Sequence, residues 1–225
     1  MKNTQNTFLI IILAWMFLPE TFYSQELLYV TDTCNIKISS SLPVCIKGGL
    51  NAEDASALNN SGTIYISHNS ATGSENWTND VSADFLAGNG KVIFNSSEEQ
   101  NITGGFSTHF KQLEIANTGD TGINLHIDTY VDSILTLTDG NINTDINKMI
   151  VTSTEIPSIE GFAYAASTPS YINGNLRRYI HSPFSGKYAF PVGNADDYFP
   201  VAVESSNLTG VSFLDASFGS ADMST

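Results

Sequence analysis

Along most of the chain, apolar residues alternate singly with polar ones for a few positions and then give way to clusters of Asn, Gly, Ser, Thr and Asp. Alternation with a period of two puts the apolar side chains on one face of a β-strand, whereas an amphipathic helix would repeat them every three to four residues. Short strands are therefore predicted at Ile36–Ile38, Val44–Ile46, Thr63–Ile66, Val92–Phe94, Leu113–Ile115, Ile123–Ile127 and Ile134–Leu137. Helical periodicity is almost absent after the first two dozen residues, so the chain reads as all-β.

These strands recur at a rough interval. Phe94 to Ile115 is 21 residues and Ile115 to Leu137 is 22; a second series runs from Ile102 to Ile123 and on to Ile146. Recurrence in this range with no helix between strands predicts a parallel β-solenoid, in which each coil stacks its inward side chains on the next. The inward set would be Ile64, Ile66, Val92, Phe94, Ile102, Leu113, Ile115, Leu125, Ile127, Leu135 and Leu137, with Tyr65, Ile93, Glu114, His126 and Thr136 facing out. The alternative is an antiparallel β-sandwich, which would call for tighter two-residue turns than these Asn-rich connections.

The pattern changes near Ile156-Pro157, beyond which prolines, aromatics and the pair Arg177-Arg178 concentrate. Residues 25–156 are accordingly expected to be the solenoid, and 157–225 a short β-rich segment. There Phe190–Asn194 and Tyr198–Val201 would form two strands of a different sheet. No finishing element is evident at the C-terminus, which suggests part of a larger multidomain chain.

Composition narrows the partners. Only 14% of the residues are charged, against about 25% in ordinary soluble domains, and the formal net charge is -14. An acidic chain repels phosphate backbones and anionic lipid surfaces, so nucleic acid is excluded as a partner. Lys2 followed by the apolar run Phe8–Leu18 and a polar Ser24-Gln25 step reads as a signal peptide over residues 1–24. The run is too short to span a bilayer, and no comparable stretch follows, so the mature chain has no expected membrane span. In an exported chain the two cysteines, Cys34 and Cys45, are predicted to close a small disulfide loop. The competing reading is two small buried hydrophobes in neighbouring strands.

Few constellations carry chemistry. Asp139, Asn141, Asn143 and Asp145 place oxygens at the leading spacing of a calcium loop, but Thr144 stands at the glycine position and Ile150 where a bidentate Glu should close the site. The segment reads as a polar turn, with calcium the weaker alternative and no other cofactor expected. Asn143-Thr144-Asp145 and Asp196-Asp197 echo the carboxylate motifs of polygalacturonases, yet the accompanying Gly-His-Gly and Arg-Ile-Lys motifs are missing, and the two acidic sites fall on opposite sides of the expected boundary. His68, His109, His126 and His181 are scattered, and Phe184-Ser185-Gly186 lacks the first glycine of a nucleophile elbow. Arg177-Arg178 is expected to pair with nearby acids. Among Trp77, Tyr130, Tyr171 and Tyr198, Trp77 is the first candidate for stacking on a sugar ring, because it sits in a polar run.

An ordered set of stretches resembles the repeat regions of large exported surface proteins of the Bacteroidetes group. It includes Leu58–Ile66, Asn76–Asp80, Gly90–Asn95, Gln100–Gly104, Phe110–Asn117, Leu135–Ile142, Tyr171–Arg178 and Phe190–Gly193. The resemblance implies a right-handed β-solenoid of adhesin-like or gliding-associated cargo, carried by the type IX secretion route, with no catalytic residues. The expected function is a non-catalytic secreted or cell-surface module that displays or spaces surfaces for extracellular glycans or proteins. The alternative is a carbohydrate-active enzyme or carbohydrate-binding protein on the same fold.

Overall fold

The computed structural model describes residues 27–40, 43–67, 75–82, 87–164 and 170–218; the expected signal peptide and His68 lie outside the described residues. No helix occurs among them, and the strands follow one another around successive coils. The first coil contains β1 (Leu27–Val30), β2 (Asn35–Ile38) and β3 (Val44–Lys47), and the second β4 (Gly49–Glu53), β5 (Ala57–Asn60) and β6 (Thr63–Ser67). Then come β7 (Glu75–Asp80) with β8 (Lys91–Asn95), β9 (Gln100–Thr103) with β10 (Thr108–Ala116), and β11 (Ile123–Leu125) with β12 (Thr129–Asp139). The C-terminal third adds β13 (Ile142–Asn143), β14 (Met149–Val151), β15 (Ile159–Glu160), β16 (Ile172–Asn173), β17 (Leu176–Tyr179), β18 (Phe184–Phe190), β19 (Val192–Gly193), β20 (Val201–Leu208) and β21 (Phe213–Ala216).

Corresponding strands of successive coils pair in parallel, giving an eight-stranded sheet ordered β1-β4-β7-β9-β11-β13-β16-β19 and a nine-stranded sheet ordered β21-β17-β14-β12-β10-β8-β6-β3. The result is a parallel β-solenoid of about seven turns, and the sandwich alternative is ruled out. Inward residues stack in columns. Val92 pairs with Leu113 and Leu113 with Leu135; Phe94 pairs with Ile115 and Ile115 with Leu137, as the 21- and 22-residue spacing predicts. All are 0–1% exposed, and each contributes roughly 1.5–3 kcal/mol of burial. Ile127 is the expected inward residue that is only half-buried, packed against the edge of this core.

The second predicted series is off register. Ile102 pairs with Leu125 rather than Ile123, and Ile123 pairs with Ile142. Ile146, expected in the series, is 85% exposed in the turn after β13. The two-residue slip keeps Ile123 inward, because strand side chains alternate with period two. The turn lengths therefore set the register, and they vary from coil to coil.

The expected boundary at 156 also moves. Parallel pairing continues through β14–β17, β13–β16 and β16–β19, so the solenoid runs on to Gly193. The antiparallel pieces are additions to its C-terminal end: β18 pairs with β20 from Phe190↔Val201 to Phe184↔Leu208, and β21 runs antiparallel along β17. Val192-Gly193, between β18 and β20, returns to the eight-stranded sheet.

Coils approach one another closely at the corners. At Gly122 the backbone has φ +69°, and an added Cβ would lie 2.3 Å from the Asn141 carbonyl of the next coil, so only glycine fits there. Asparagine serves the corners differently. Asn79 is fully buried; its amide donates to the carbonyls of Ser82 and Ser107 while accepting from the Val81 N–H. Two turn carbonyls are thereby satisfied by one buried side chain.

Candidate functional site

The outer face of the eight-stranded sheet carries a feature formed by residues far apart in sequence. Register pairs Asn76 with Asn101, Asn101 with Asn124, Asn124 with Asn143, and Asn143 with Asn173. The neighbouring residues Trp77, Ile102, Leu125 and Ile172 point into the core, which turns the asparagines outward, half-buried. Their amides form a one-way chain. Asn173 Nδ2 donates to Asn143 Oδ1 at 2.9 Å, Asn143 to Asn124 at 3.0 Å, Asn124 to Asn101 at 3.4 Å, and Asn101 to Asn76 at 3.0 Å. Asn143 also donates to the Thr121 carbonyl at 2.6 Å, and the exposed His126 ring nitrogen lies 3.0 Å from Asn101 Oδ1. Between β9 and β16 the outward strand residues of this sheet are Asn101, Thr103, Asn124, Asn143 and Asn173, none of them charged.

Over this ladder runs an open groove of about 500 Å³, lined by Thr121, Asn124, Asn143, Asp145, Asn173 and Gly174. Asp145, in a turn with φ +49°, is an exposed carboxylate on its rim. Acidic groups elsewhere gather at the corners, as at Glu98, Glu99 and Asp120 around a separate polar groove.

The predicted calcium constellation is dispersed among different partners. Asp139 Oδ1 accepts from the Gly140 N–H, Asn141 Oδ1 from the Tyr171 N–H, and Asn143 belongs to the ladder. Among the described residues no group of three or more His, Cys, Asp or Glu side chains is placed to hold a metal ion.

Trp77 is not a surface aromatic. It is 0% exposed, donates its indole N–H to Thr108 Oγ1 at 3.1 Å, and packs on Phe110 with ring centroids 4.9 Å apart. Its polar neighbours misled because Asn76 and Thr78 face out while Asn79 is buried at a corner. Tyr171 is buried against Tyr198, and Tyr130 lies flat on His109, with centroids 4.3 Å apart and an interplanar angle of 6°. His109 Nδ1 also meets Asp132 Oδ1 at 3.3 Å.

The cysteines correct another expectation, because Cys34 and Cys45 are both free, exposed thiols. Cys34 precedes β2, which pairs with β5 in a separate two-stranded sheet, whereas Cys45 lies in β3 of the nine-stranded sheet with its Sγ 3.4 Å from Ser67 Oγ. Nearness in sequence does not bring them together, since they occupy different sides of one coil. Native, unreduced protein treated with iodoacetamide should take up two adducts per chain by mass spectrometry. A chain lacking two hydrogens and refusing both adducts would restore the disulfide.

Arg177 and Arg178 part company. Arg177 grips Asp215 through Nε and Nη2, both at 2.7 Å, and Lys148 adds a contact at 3.1 Å. The hydrogen bonds from Arg177 hold the Asp215 carboxyl below the usual carboxylate range. Arg178 is 2% exposed and meets no carboxylate among the described residues. It donates to the Ala189 carbonyl and Ser158 Oγ at 2.6 Å each, and its guanidinium lies over the rings of Tyr188 and Phe190. Burial pushes its pKa down to about 10. It staples β18 to the solenoid, as a planar donor fork over aromatic faces can.

Asn76, Asn101, Asn124 and Asn173 escaped sequence reasoning. The signal that would have found them is an asparagine directly beside an inward residue at the matching position of successive coils, visible only once the coils are aligned by register. Comparison with known proteins finds no matching family model, no matching curated protein and no matching solved structure.

Proposed function

We propose that this chain is a non-catalytic, exported module of the adhesin-like kind, whose solenoid displays and spaces binding surfaces outside the cell. The observation that carries the reading is the uncharged, regularly spaced face from Asn101 to Asn173 on a chain of net charge -14. A rigid repeating face of this sort suits many weak contacts with an extended partner, which avidity then sums. Export rests on the sequence reading of residues 1–24.

One observation favours the competing reading of a polysaccharide-cleaving enzyme. Because the solenoid continues past residue 156, the register Asn143↔Asn173↔Gly193 brings the turn bearing Asp145 and the turn bearing Asp196 and Asp197 to the same side, with one coil between them. Two strand steps are roughly 9–10 Å, within the broad range over which paired carboxylates act on glycosidic bonds. Asp145, Asp196 and Asp197 are nevertheless all exposed. The test has two arms. Beads coated with the full chain should adhere to cell or matrix surfaces above beads carrying an unrelated acidic protein, and a panel of neutral and acidic polysaccharides should release no reducing ends. Depolymerisation lost in Asp145→Ala or Asp197→Ala would overturn the proposal in favour of the enzyme.

A further inference from the structure

We infer that the asparagine ladder binds an extended, neutral polysaccharide laid along the solenoid axis, a site that deepens the proposed display function and rests on it. The chemistry starts from the amides. Asn101, Asn124 and Asn173 each spend one Nδ2 hydrogen on the ladder, and among the described residues the second has no protein partner. An amide carries two donors and two acceptor lone pairs, so each rung keeps hydrogen-bonding capacity turned to solvent. The ladder bonds lock those side chains, so little rotamer entropy remains to be lost on binding.

The spacing selects an extended polymer. Rungs follow the strand repeat of about 4.8 Å, comparable to the length of one pyranose ring in an extended β-1,4-linked chain, so successive sugars can present hydroxyls to successive amides. The groove over Thr121, Asn124, Asn143, Asp145 and Asn173 gives such a chain a bed. Charge selects a neutral one. No outward strand residue between β9 and β16 is charged, and the one charged residue lining the groove, Asp145 on the rim, is negative. An acidic polymer would face that carboxylate and a chain of net charge -14 with no cation in the bed to pair with it. A peptide ligand is disfavoured because the face offers neither an aromatic pocket nor an open strand edge: Trp77 is buried beneath it, and β7 to β16 are paired on both sides. Without aromatic stacking each sugar contributes little, so binding depends on the number of rungs engaged.

The experiment is a pull-down of the full chain on insoluble cellulose and chitin, with pectate and alginate gels as acidic counterparts, in buffer of physiological salt. Retention is expected on one or both neutral β-1,4-linked polymers and not on the acidic gels, and free glucose or N-acetylglucosamine should compete poorly. Two variants locate the site. Asn124→Asp puts a charge into the ladder, and Thr121→Glu puts one over the groove from an exposed position whose side chain makes no ladder bond. Each should cut retention about tenfold, the equivalent of one or two hydrogen bonds lost across the bound chain. Thr121→Glu should do so with an unchanged melting temperature, which keeps the test valid if the Asp variant folds poorly. No retention on either neutral polymer, or equal retention of the wild type and Thr121→Glu, would overturn the inference. Bead adhesion that persists in either case would leave the display function standing and move its contact surface elsewhere.

Discussion

Replacing Ile115 with Asp should lower the melting temperature by roughly 10 °C or more, or abolish cooperative unfolding. Ile115 is 0% exposed and sits mid-column between Phe94 and Leu137, with no polar side chain in either neighbouring rung. A carboxylate there would be desolvated with no partner, costing at least about 4 kcal/mol, and in a chain of this length each kcal/mol is worth about 2–4 °C. Its neighbour provides the control. From alternation alone, Glu114→Lys is predicted to be nearly silent, because position 114 faces out. The structure revises that expectation: the Glu114 carboxylate accepts from Lys91 Nζ at 3.0 Å and from Thr138 Oγ1 at 2.9 Å, with its side chain 20% exposed. A lysine at 114 would face Lys91, and the loss should be about 1 kcal/mol after solvent screening. Urea or thermal melts of the two variants decide the matter; equal destabilisation would mean that the register assigned to β10 is wrong.

Trp77→Ala should cost about 3–5 kcal/mol, the usual loss when a large aromatic core residue is truncated and its cavity only partly collapses. Trp77 is among the largest fully buried side chains and joins Phe110 and Phe94 in a contiguous aromatic cluster, with the two Phe centroids 6.3 Å apart. Trp77→Phe keeps most of the volume but leaves the buried Thr108 hydroxyl without its indole donor, so a smaller loss of about 1–2 kcal/mol is expected. In protein lacking residues 1–24, Trp77 is the sole tryptophan, so its fluorescence should be blue-shifted and resistant to acrylamide quenching until the chain unfolds. A surface stacking residue would behave in the opposite way: quenched in the native state, silent in a melt on truncation to Ala, and deficient in polysaccharide retention. That outcome would reverse the placement of β7.

Strand identity and facing were legible from the residues alone, because alternation is a local property: the polar partners of Ile64, Val92, Leu113 and Leu135 declare which side is solvent. Stacking order in the central coils was legible too, since two turns of nearly equal length kept Phe94, Ile115 and Leu137 in one column. Where turn length changes, the count fails, and Ile146 ends up exposed while Ile142 takes its place. Trp77 was misread because inward positions of a solenoid need not be apolar: Asn79, Gln100 and Thr108 are fully buried and satisfied by backbone carbonyls or side chains of other coils. Cys34 and Cys45 are close in sequence but lie on different sides of a coil, and the proline-rich tail hid strands of only two residues whose parallel partners lie 20 to 30 positions away. The asparagine ladder belongs to the same class of feature. Each rung, taken alone, is an ordinary polar residue in a strand; only the stacking of coils puts Asn76, Asn101, Asn124, Asn143 and Asn173 within hydrogen-bond reach, since their spacing depends on turn lengths that local patterning does not encode.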